Sequence, residues 1–184
     1  MRTKQLVLTA LFAALTAIGA FLKIQIPVEG IPAITLQFFF TAMAGVLLGA
    51  KYGAISQAVY VLLGLVGLPI FTMGGGFSYV LQPSFGFLVG LIPSAWVIGT
   101  LCKNAKSFWP MALGILAGLA VLYLIGTPYM GLILNLYLGK GMSVWQIVRA
   151  GCLLYLLGDV LKIVVCTALC LALRSRLPKA LAPA

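Results

Sequence analysis

The sequence contains no histidine and only two acidic residues, Glu29 and Asp159. Histidine is the most frequent general base, proton shuttle and metal ligand, and hydrolytic triads and carboxylate metal sites need several such side chains together. A phosphate-binding loop of the form Gly-x-x-x-x-Gly-Lys-Ser/Thr is also missing. We therefore expect no enzymatic activity, no metal and no cofactor, and any step driven by ATP must rely on another chain for hydrolysis.

Charged residues of both signs are scarce in this chain. They make up 8% of the 184 residues, against about 25% in an ordinary soluble domain, and 63% of the residues are hydrophobic. A membrane-spanning helix needs roughly 20 apolar residues, so the chain has room for six or seven spans at most. We predict an all-α integral membrane protein with a single membrane-embedded domain, residues 1–184.

The formal charge of +10 does not indicate a nucleic-acid partner, because the twelve basic residues are scattered singly or in pairs. The cysteines also carry no sign of chemistry. Their spacings match no zinc or redox motif, and all lie in or beside apolar runs, so we expect them to pack as small apolar residues. They are Cys102, Cys152, Cys166 and Cys170.

Six apolar runs predict a bundle of six transmembrane helices. The first run follows basic residues, as in a secretory signal peptide, but its length and the five runs behind it favour a retained helix. The predicted spans are Leu6 to Leu22, Leu36 to Ala50, Gly53 to Leu68, Phe85 to Cys102, Trp109 to Gly126, and Cys152 to Leu173.

The basic residues predict the orientation of these spans, because cytoplasmic loops carry an excess of lysine and arginine. Eight lie on the side of the two termini: Arg2, Lys4, Lys51, Lys103, Lys106, Arg174, Arg176 and Lys179. Three lie on the other side: Lys23, Lys140 and Arg149. We therefore predict that both termini are cytoplasmic.

A glycine-rich loop, residues 67–86, joins predicted spans three and four. Glycine permits close approaches that a Cβ forbids, and irregular backbone at membrane depth is tolerated only beside protein or a water-filled cavity. A re-entrant loop that covers a pocket fits this composition, and a flexible connector is the alternative. We predict that Gly75, Gly76, Tyr79 and Gln82 contact a ligand there.

The connection from Thr127 to Gly151 is too long for a tight turn and contains the apolar stretch from Tyr129 to Leu138. It fits a short interfacial helix or an extension of the fifth span. The sequence does not choose between these two structures.

Asp159 and Lys162 lie three residues apart within the sixth span, hence on one face of the helix. Charges inside a membrane are costly, so the pair should face the bundle interior or a wet cavity. We predict a binding site in which Asp159 accepts hydrogen bonds from ligand N–H groups and Lys162 donates to a carbonyl or carboxylate. Tyr155 extends this face, and Gln37 is a further lining candidate. A mutually neutralising structural pair is the alternative.

Small residues recur four apart on the first span, at Ala10, Ala13, Ala14 and Ala17. Such spacing lets another membrane helix approach closely. The surface fits either docking of a partner or packing inside the bundle.

Several stretches across the chain resemble the BioY proteins, the biotin-specific substrate-binding subunits (S components) of energy-coupling-factor (ECF) transporters. They are Ala10-Leu-Phe-Ala-Ala-Leu15, Thr35-Leu-Gln37, Gly64-Leu-Val-Gly-Leu-Pro-Ile-Phe71 with the triple glycine after it, Ser143-Val-Trp-Gln146, and Gly158-Asp-Val-Leu-Lys162. The last resembles the family's Gly-Asp-x-x-Lys signature. One departure is Gln82-Pro-Ser-Phe-Gly86, where the family commonly has Gly-Pro-Thr-Gly-Gly, so Gln82 and Phe85 add side chains near the expected pocket.

This resemblance implies a six-helix S component in the bacterial cytoplasmic membrane, which binds biotin from outside. It also implies association with a transmembrane coupling protein and two ATP-binding subunits, with the small-residue face of the first span as the docking surface. Phe71, Phe77, Tyr79 and Tyr155 become candidate walls for the apolar parts of biotin. Two other functions stay open: an S component for a different vitamin, and a self-sufficient permease or channel.

Overall fold

The computed structural model describes residues 3–24 and 31–176. Six α-helices follow one another: α1 Thr3–Phe21, α2 Gln37–Leu65, α3 Phe85–Leu101, α4 Phe108–Leu132, α5 Val144–Val148 and α6 Leu156–Arg176. Two short antiparallel strands, β1 Lys23–Ile24 and β2 Ile34–Thr35, pair with Lys23 opposite Thr35. The chain is therefore all-helical apart from this ribbon. Arg2, Glu29 and Lys179, which entered the sequence predictions, lie outside the described residues.

The long element α2 is folded back on itself at Gly49. This residue has φ 78° and ψ 176°, a conformation outside the helical region that favours glycine. The Thr41 hydroxyl donates to Gln57 Oε1 over 2.9 Å, although sixteen residues of straight helix are roughly 24 Å long. The bond requires residues 37–48 and 50–65 to run antiparallel. The turn at Gly49 lies within the last two residues of the predicted second span, Leu36 to Ala50, so that span ends slightly earlier than predicted.

Four helical stretches of the described residues are long and apolar enough to cross a membrane: Thr3–Phe21, Gln37–Leu65, Phe108–Tyr137 and Val144–Arg176. A fifth apolar helix, Phe85–Leu101, is shorter. Their outer surface is also apolar. The side chains of Leu157 and Leu161 on α6 and of Leu124 on α4 are mostly exposed, as expected for a surface in contact with lipid.

Close backbone contacts at glycine hold α2, α3 and α4 together. A Cβ added at Gly45 would lie 2.8 Å from the carbonyl oxygen of Ala95, and one added at Gly118 would lie 2.2 Å from the Ile98 side chain. Membrane helices associate through such packing because lipid offers no hydrophobic drive between them. These three helices form the scaffold against which α1 and α6 lie.

In the connection from Thr127 to Gly151, the apolar stretch from Tyr129 to Leu138 extends the fifth predicted span. Helix α4 continues to Leu132 and ends in a π-helical turn, Ile133–Tyr137. The short helix α5 then begins with a capping box, in which the Ser143 hydroxyl accepts from the Gln146 backbone and the Gln146 side chain accepts from the Ser143 backbone. A second π-helical turn, Arg149–Leu153, precedes α6.

At the other end of α6, Arg174 ties this helix to the scaffold. Its guanidinium donates to the carbonyl oxygens of Cys102 (2.9 Å) and Ala105 (3.1 Å), and to that of Val46. The same region buries the thiols of Cys102, Cys166 and Cys170, as predicted, while Cys152 is half-buried. One arginine thus joins the end of α6, the end of α3 and the first limb of α2.

Candidate ligand-binding site

A cavity with about 650 Å³ of space between atoms, including its opening, lies at the end of the bundle where α3 and α6 begin. Five segments of the chain contribute to it: the strand β2 with the residues before it, the start of α2, the glycine-rich loop with α3, the middle of α4, and the start of α6. The lining residues are Pro32, Ala33, Thr35, Gln37, Phe38, Thr72, Tyr79, Ser84, Phe87, Leu88, Leu91, Leu122, Tyr123, Tyr155, Asp159 and Lys162.

The charged pair faces this cavity. Lys162 Nζ donates to Asp159 Oδ1 over 2.8 Å, and the two side chains are 12% and 6% exposed. The other carboxylate oxygen, Oδ2, accepts a hydrogen bond from the Tyr123 hydroxyl. Each carboxylate oxygen has two acceptor positions and the ammonium has three donors, so both groups retain hydrogen-bonding capacity toward the cavity. The interior position predicted for the pair is confirmed.

The entrance to α2 is held by a second set of hydrogen bonds. The side chain of Gln37 accepts from the Thr35 hydroxyl over 3.0 Å and donates to the Tyr60 hydroxyl over 2.9 Å. Tyr60 in turn donates to the carbonyl oxygen of Ile70, over 3.1 Å. Because both ends of the Gln37 amide have partners, its orientation is fixed, and it links the start of α2 to the glycine-rich loop.

Tyr155 links α6 to the segment before β2, because its hydroxyl donates to the Pro32 carbonyl oxygen across the cavity edge. The aromatic ring lines the cavity as predicted. Pro32 and Tyr155 are 123 residues apart in sequence, so this hydrogen bond is a long-range contact that closes one side of the cavity.

The glycine-rich loop is structured on the cavity side. Thr72, Tyr79 and Ser84 form a chain of hydroxyls, with oxygen separations of 2.8 Å between Thr72 and Tyr79 and 3.1 Å between Tyr79 and Ser84. Residues Phe77–Leu81 form a 3₁₀ turn, and the Tyr129 hydroxyl donates to the Val80 carbonyl. The loop therefore supplies polar groups to the cavity from a hydrogen-bonded turn.

Three of the predicted contact residues do not line the cavity: Gly75, Gly76 and Gln82. The glycines shape the loop instead. A Cβ at Gly75 would lie 2.1 Å from the Leu68 carbonyl oxygen, and Gly76, with φ 101°, donates its N–H to the Gly64 carbonyl over 2.7 Å. Gln82 is half-buried beside the 3₁₀ turn.

Two of the four candidate wall residues also lie elsewhere. Phe71, a residue of the glycine-rich loop, is buried with its ring 4.6 Å from that of Tyr79, and Phe77 is exposed. Phe85, which departs from the family pattern, packs against Tyr129 outside the cavity.

Tyr123 was not predicted from the sequence as a site residue. Its hydroxyl donates a hydrogen bond to the Asp159 carboxylate, in addition to the one from Lys162. Tyr123 lies inside an apolar run with no polar neighbour to mark it, 36 residues from its partner. The apolar lining was missed as well. Phe38, Phe87, Leu88, Leu91 and Leu122 supply it, and such residues are indistinguishable in sequence from those that face lipid or the core. A few fixed polar groups beside apolar walls suit a small ligand with one polar and one apolar part.

The alanines of α1 separate into two environments. Ala10 and Ala14 are exposed, Ala17 is half-buried, and Ala13 is buried in the core. The packing alternative therefore applies to Ala13, while Ala10 and Ala14 form an accessible small-residue surface.

Comparisons with known proteins agree with this architecture. The sequence model of the BioY family matches residues 1–179. A probable biotin transporter BioY from Lysinibacillus sphaericus is 44% identical over 95% of this chain and 84% of its own length. The biotin transporter BioY of Thermotoga maritima is 36% identical over 93% of this chain and 96% of its own.

A crystal structure of the S component for biotin from an ECF-type ABC transporter superposes with a TM-score of 0.84. It is 27% identical in sequence, and the match covers 98% of this chain and 96% of that one. Family model, relatives and structure thus agree over nearly the whole chain. This multi-pass membrane protein is not an enzyme, and it belongs to the BioY family.

Proposed function

We propose that this chain captures biotin as the S component of an ECF-type transporter and that ATPases on other chains energise uptake. The BioY relatives and the biotin S-component structure support this function. The observation that carries it is the cavity at the start of α6, where Asp159, Lys162, Tyr155, Gln37 and Tyr79 meet.

Biotin combines a neutral ureido ring, an apolar sulfur-containing ring and a carboxylate on an aliphatic chain. The free acceptor positions of Asp159 suit the two ureido N–H groups. The remaining donors of Lys162 suit the ureido carbonyl or the carboxylate. Hydrogen bonds to charged partners contribute more than neutral ones, so this pair should provide most of the polar recognition.

The apolar part of the ligand requires walls without polar groups. Phe38, Phe87 and Leu88 line the same cavity as the charged pair. Tyr79 and Tyr155 each place a ring beside it while their hydroxyls bond to protein atoms. We infer that these five side chains surround the sulfur-containing ring and the aliphatic chain.

We further infer that the chain crosses the membrane six times. The two limbs of α2, residues 37–48 and 50–65, are roughly 18 and 24 Å long, and their antiparallel course supports two crossings. The shorter limb suits a locally thinned bilayer or a cavity at its end. With α1, α3, α4 and α6, the total is six.

The basic residues support a cytoplasmic location for both termini. Lys4, Lys51, Lys103 and Lys106 lie at the end of the bundle that carries the start of α1 and the end of α3. In this orientation the candidate site opens to the outside of the bacterial cytoplasmic membrane. The ligand therefore enters from outside the cell.

The expected partners are a transmembrane coupling protein and two ATP-binding subunits. The exposed surface of Ala10 and Ala14 on α1, with Ala17 at its edge, suits close approach by a partner helix. Ala13 faces the core and takes no part.

The experiment that tests this function is calorimetry of the detergent-purified chain against a panel of vitamins, preceded by mass spectrometry of any copurified ligand. We expect biotin to copurify, and we expect no other vitamin of the panel to bind tightly or to displace it. Tight binding of a different vitamin would reassign the substrate. Biotin flux into liposomes that contain this chain alone would instead indicate a self-sufficient permease.

A further inference from the structure

A second cavity lies at the end of the bundle opposite the candidate ligand site. It has about 990 Å³ of space between atoms, including its opening, and it is formed by the start of α1, the Gly49 turn of α2 and the end of α3. The two cavities share no lining residue. Two lysines, Lys51 and Lys103, line this second cavity.

Backbone packing brings the two lysines to one cavity. A Cβ added at Gly99 would lie 2.2 Å from the backbone nitrogen of Ala50, so α3 touches the turn of α2 directly. Lys51 follows Ala50, and Lys103 lies two residues beyond the end of α3 at Leu101. The contact therefore fixes the backbone from which both side chains extend, and both are exposed.

The charges of these lysines are not balanced by a carboxylate within residues 3–24 and 31–176. Asp159 is the acidic residue of those ranges, and it lines the other cavity in a pair with Lys162. Two like charges at one cavity repel each other, and an anion between them removes that cost. The second cavity is thus suited to an anionic ligand.

Aromatic residues of this cavity are of the kind found at the depth of lipid headgroups. Trp96 is 54% exposed and Tyr52 is half-buried, and both line it together with the aliphatic side chain of Leu48. Tryptophan and tyrosine are enriched where the apolar core of a bilayer meets the headgroups. A ligand here has its anion beside the lysines and its apolar portion beside Trp96 and Leu48.

We propose that this cavity binds the phosphate headgroup of an anionic phospholipid. Recognition of the phosphate depends on the positive charges of Lys51 and Lys103. The hydroxyl hydrogens nearby are already donated, from Tyr52 to Gln5 over 2.9 Å and from Thr100 to the Trp96 carbonyl over 2.8 Å. Basic pockets between membrane helices bind anionic headgroups in this way. The proposal does not depend on the identity of the ligand in the other cavity.

The test is native mass spectrometry of the full chain released from nanodiscs of mixed phosphatidylglycerol and phosphatidylcholine. We expect one phosphatidylglycerol to be retained in preference to phosphatidylcholine. The double variant Lys51→Gln with Lys103→Gln should bind it about tenfold to thirtyfold more weakly. The matched control, Lys4→Gln with Lys106→Gln, removes the same charge outside the cavity and should stay within about twofold of the parent. Circular dichroism and the thermal midpoint verify that both variants are folded.

Three results would overturn the proposal. Equal weakening in both double variants would show a general charge effect. Inorganic phosphate can also be titrated into lipid-free protein. If it binds the cavity lysines as strongly as the lipid does, the cavity is a site for free anions. Full retention of phosphatidylglycerol by the Lys51 and Lys103 variant, combined with loss of copurifying coupling protein, would assign the cavity to protein docking.

Discussion

The two ends of the helix bundle are held together in different ways. At the candidate ligand site, side chains from five segments meet through hydrogen bonds such as Tyr123 to Asp159 and Gln37 to Tyr60. At the opposite end, backbone touches backbone at Gly99, and a single side chain, Arg174, joins three carbonyl groups. The first end retains buried polar groups with hydrogen-bonding capacity, whereas the packing contacts at the second end are made mainly by backbone.

From this difference we infer that ligand capture and assembly in the membrane use separate parts of the molecule. Polar side chains that retain free donors and acceptors in a cavity are poised for a ligand. Close backbone packing instead gives a rigid body, and α1 presents its exposed alanines on the outside of that body. Substitutions at the site should therefore change binding, and substitutions on the α1 surface should change coupling alone.

The largest loss of transport is expected from a substitution at Ala14, on the exposed surface of α1. The Ala14→Trp variant should abolish biotin uptake in cells that also contain the coupling module, because one large side chain separates two closely packed membrane helices. Biotin binding by the purified variant should equal that of the parent. Uptake of radiolabelled biotin and copurification of the coupling protein are the measurements.

The matched control for that variant is Ala120→Trp, which adds the same ring to an exposed alanine of α4. It should leave uptake intact. Normal uptake by Ala14→Trp would place the docking surface elsewhere, and equal loss in both variants would indicate a general defect in insertion.

The next effect concerns Lys162, which donates to Asp159 in the cavity. Lys162→Met should weaken biotin binding by about tenfold or more, since it removes a charged donor and leaves the carboxylate with one partner fewer. Calorimetry measures the loss. Lys106→Met removes the same charge at the other end of the bundle and should bind normally. Similar affinities for the two variants would make the charged pair structural.

A smaller effect is expected at Tyr123. Tyr123→Phe keeps the ring in the cavity but removes the hydroxyl that donates to Asp159, so biotin affinity should fall by roughly fivefold. Tyr137→Phe, at an exposed position outside the cavity, is the control and should have no effect. A Tyr123→Phe variant with unchanged affinity would mean that the hydroxyl contributes nothing to the orientation of the carboxylate.

The smallest effect is expected in the backbone dynamics of the glycine-rich loop. Amide hydrogen exchange in residues 67–84 should slow when biotin binds, because the hydroxyls of this loop line the cavity. The change should be moderate, since the loop is already tied to α4 and to Gly64 by hydrogen bonds. The Gly49 turn at the opposite end is the internal reference and should not change. Equal protection of the loop with and without biotin would describe a static connector.

Apolar runs in the sequence predicted the all-helical membrane architecture, because hydrocarbon requires long apolar helices wherever the chain crosses it. The Asp159 and Lys162 pair could also be predicted as interior, since the cost of a charge in lipid leaves few other positions. Both inferences use local composition and spacing. They need no knowledge of which helices meet.

Other features depend on long-range contacts and could not be predicted. Tyr123 joins the site only because α4 packs beside α6, and no local pattern marks it. The glycine-rich composition predicted an unusual backbone, but Gly75 and Gly76 use it for turns against Leu68 and Gly64 and not to line the cavity. The glycine content therefore predicts where the loop lies, but it does not predict which loop residues face the cavity.

Calorimetric titration of biotin into the Asp159→Asn variant tests whether the cavity beside α6 is the biotin site. This substitution keeps the shape of the side chain, removes its charge and replaces one acceptor with a donor, which opposes both Tyr123 and a ligand N–H group. We expect at least a tenfold loss of affinity, with the protein still inserted and its thermal midpoint in detergent maintained. Wild-type affinity in this variant would show that biotin binds elsewhere.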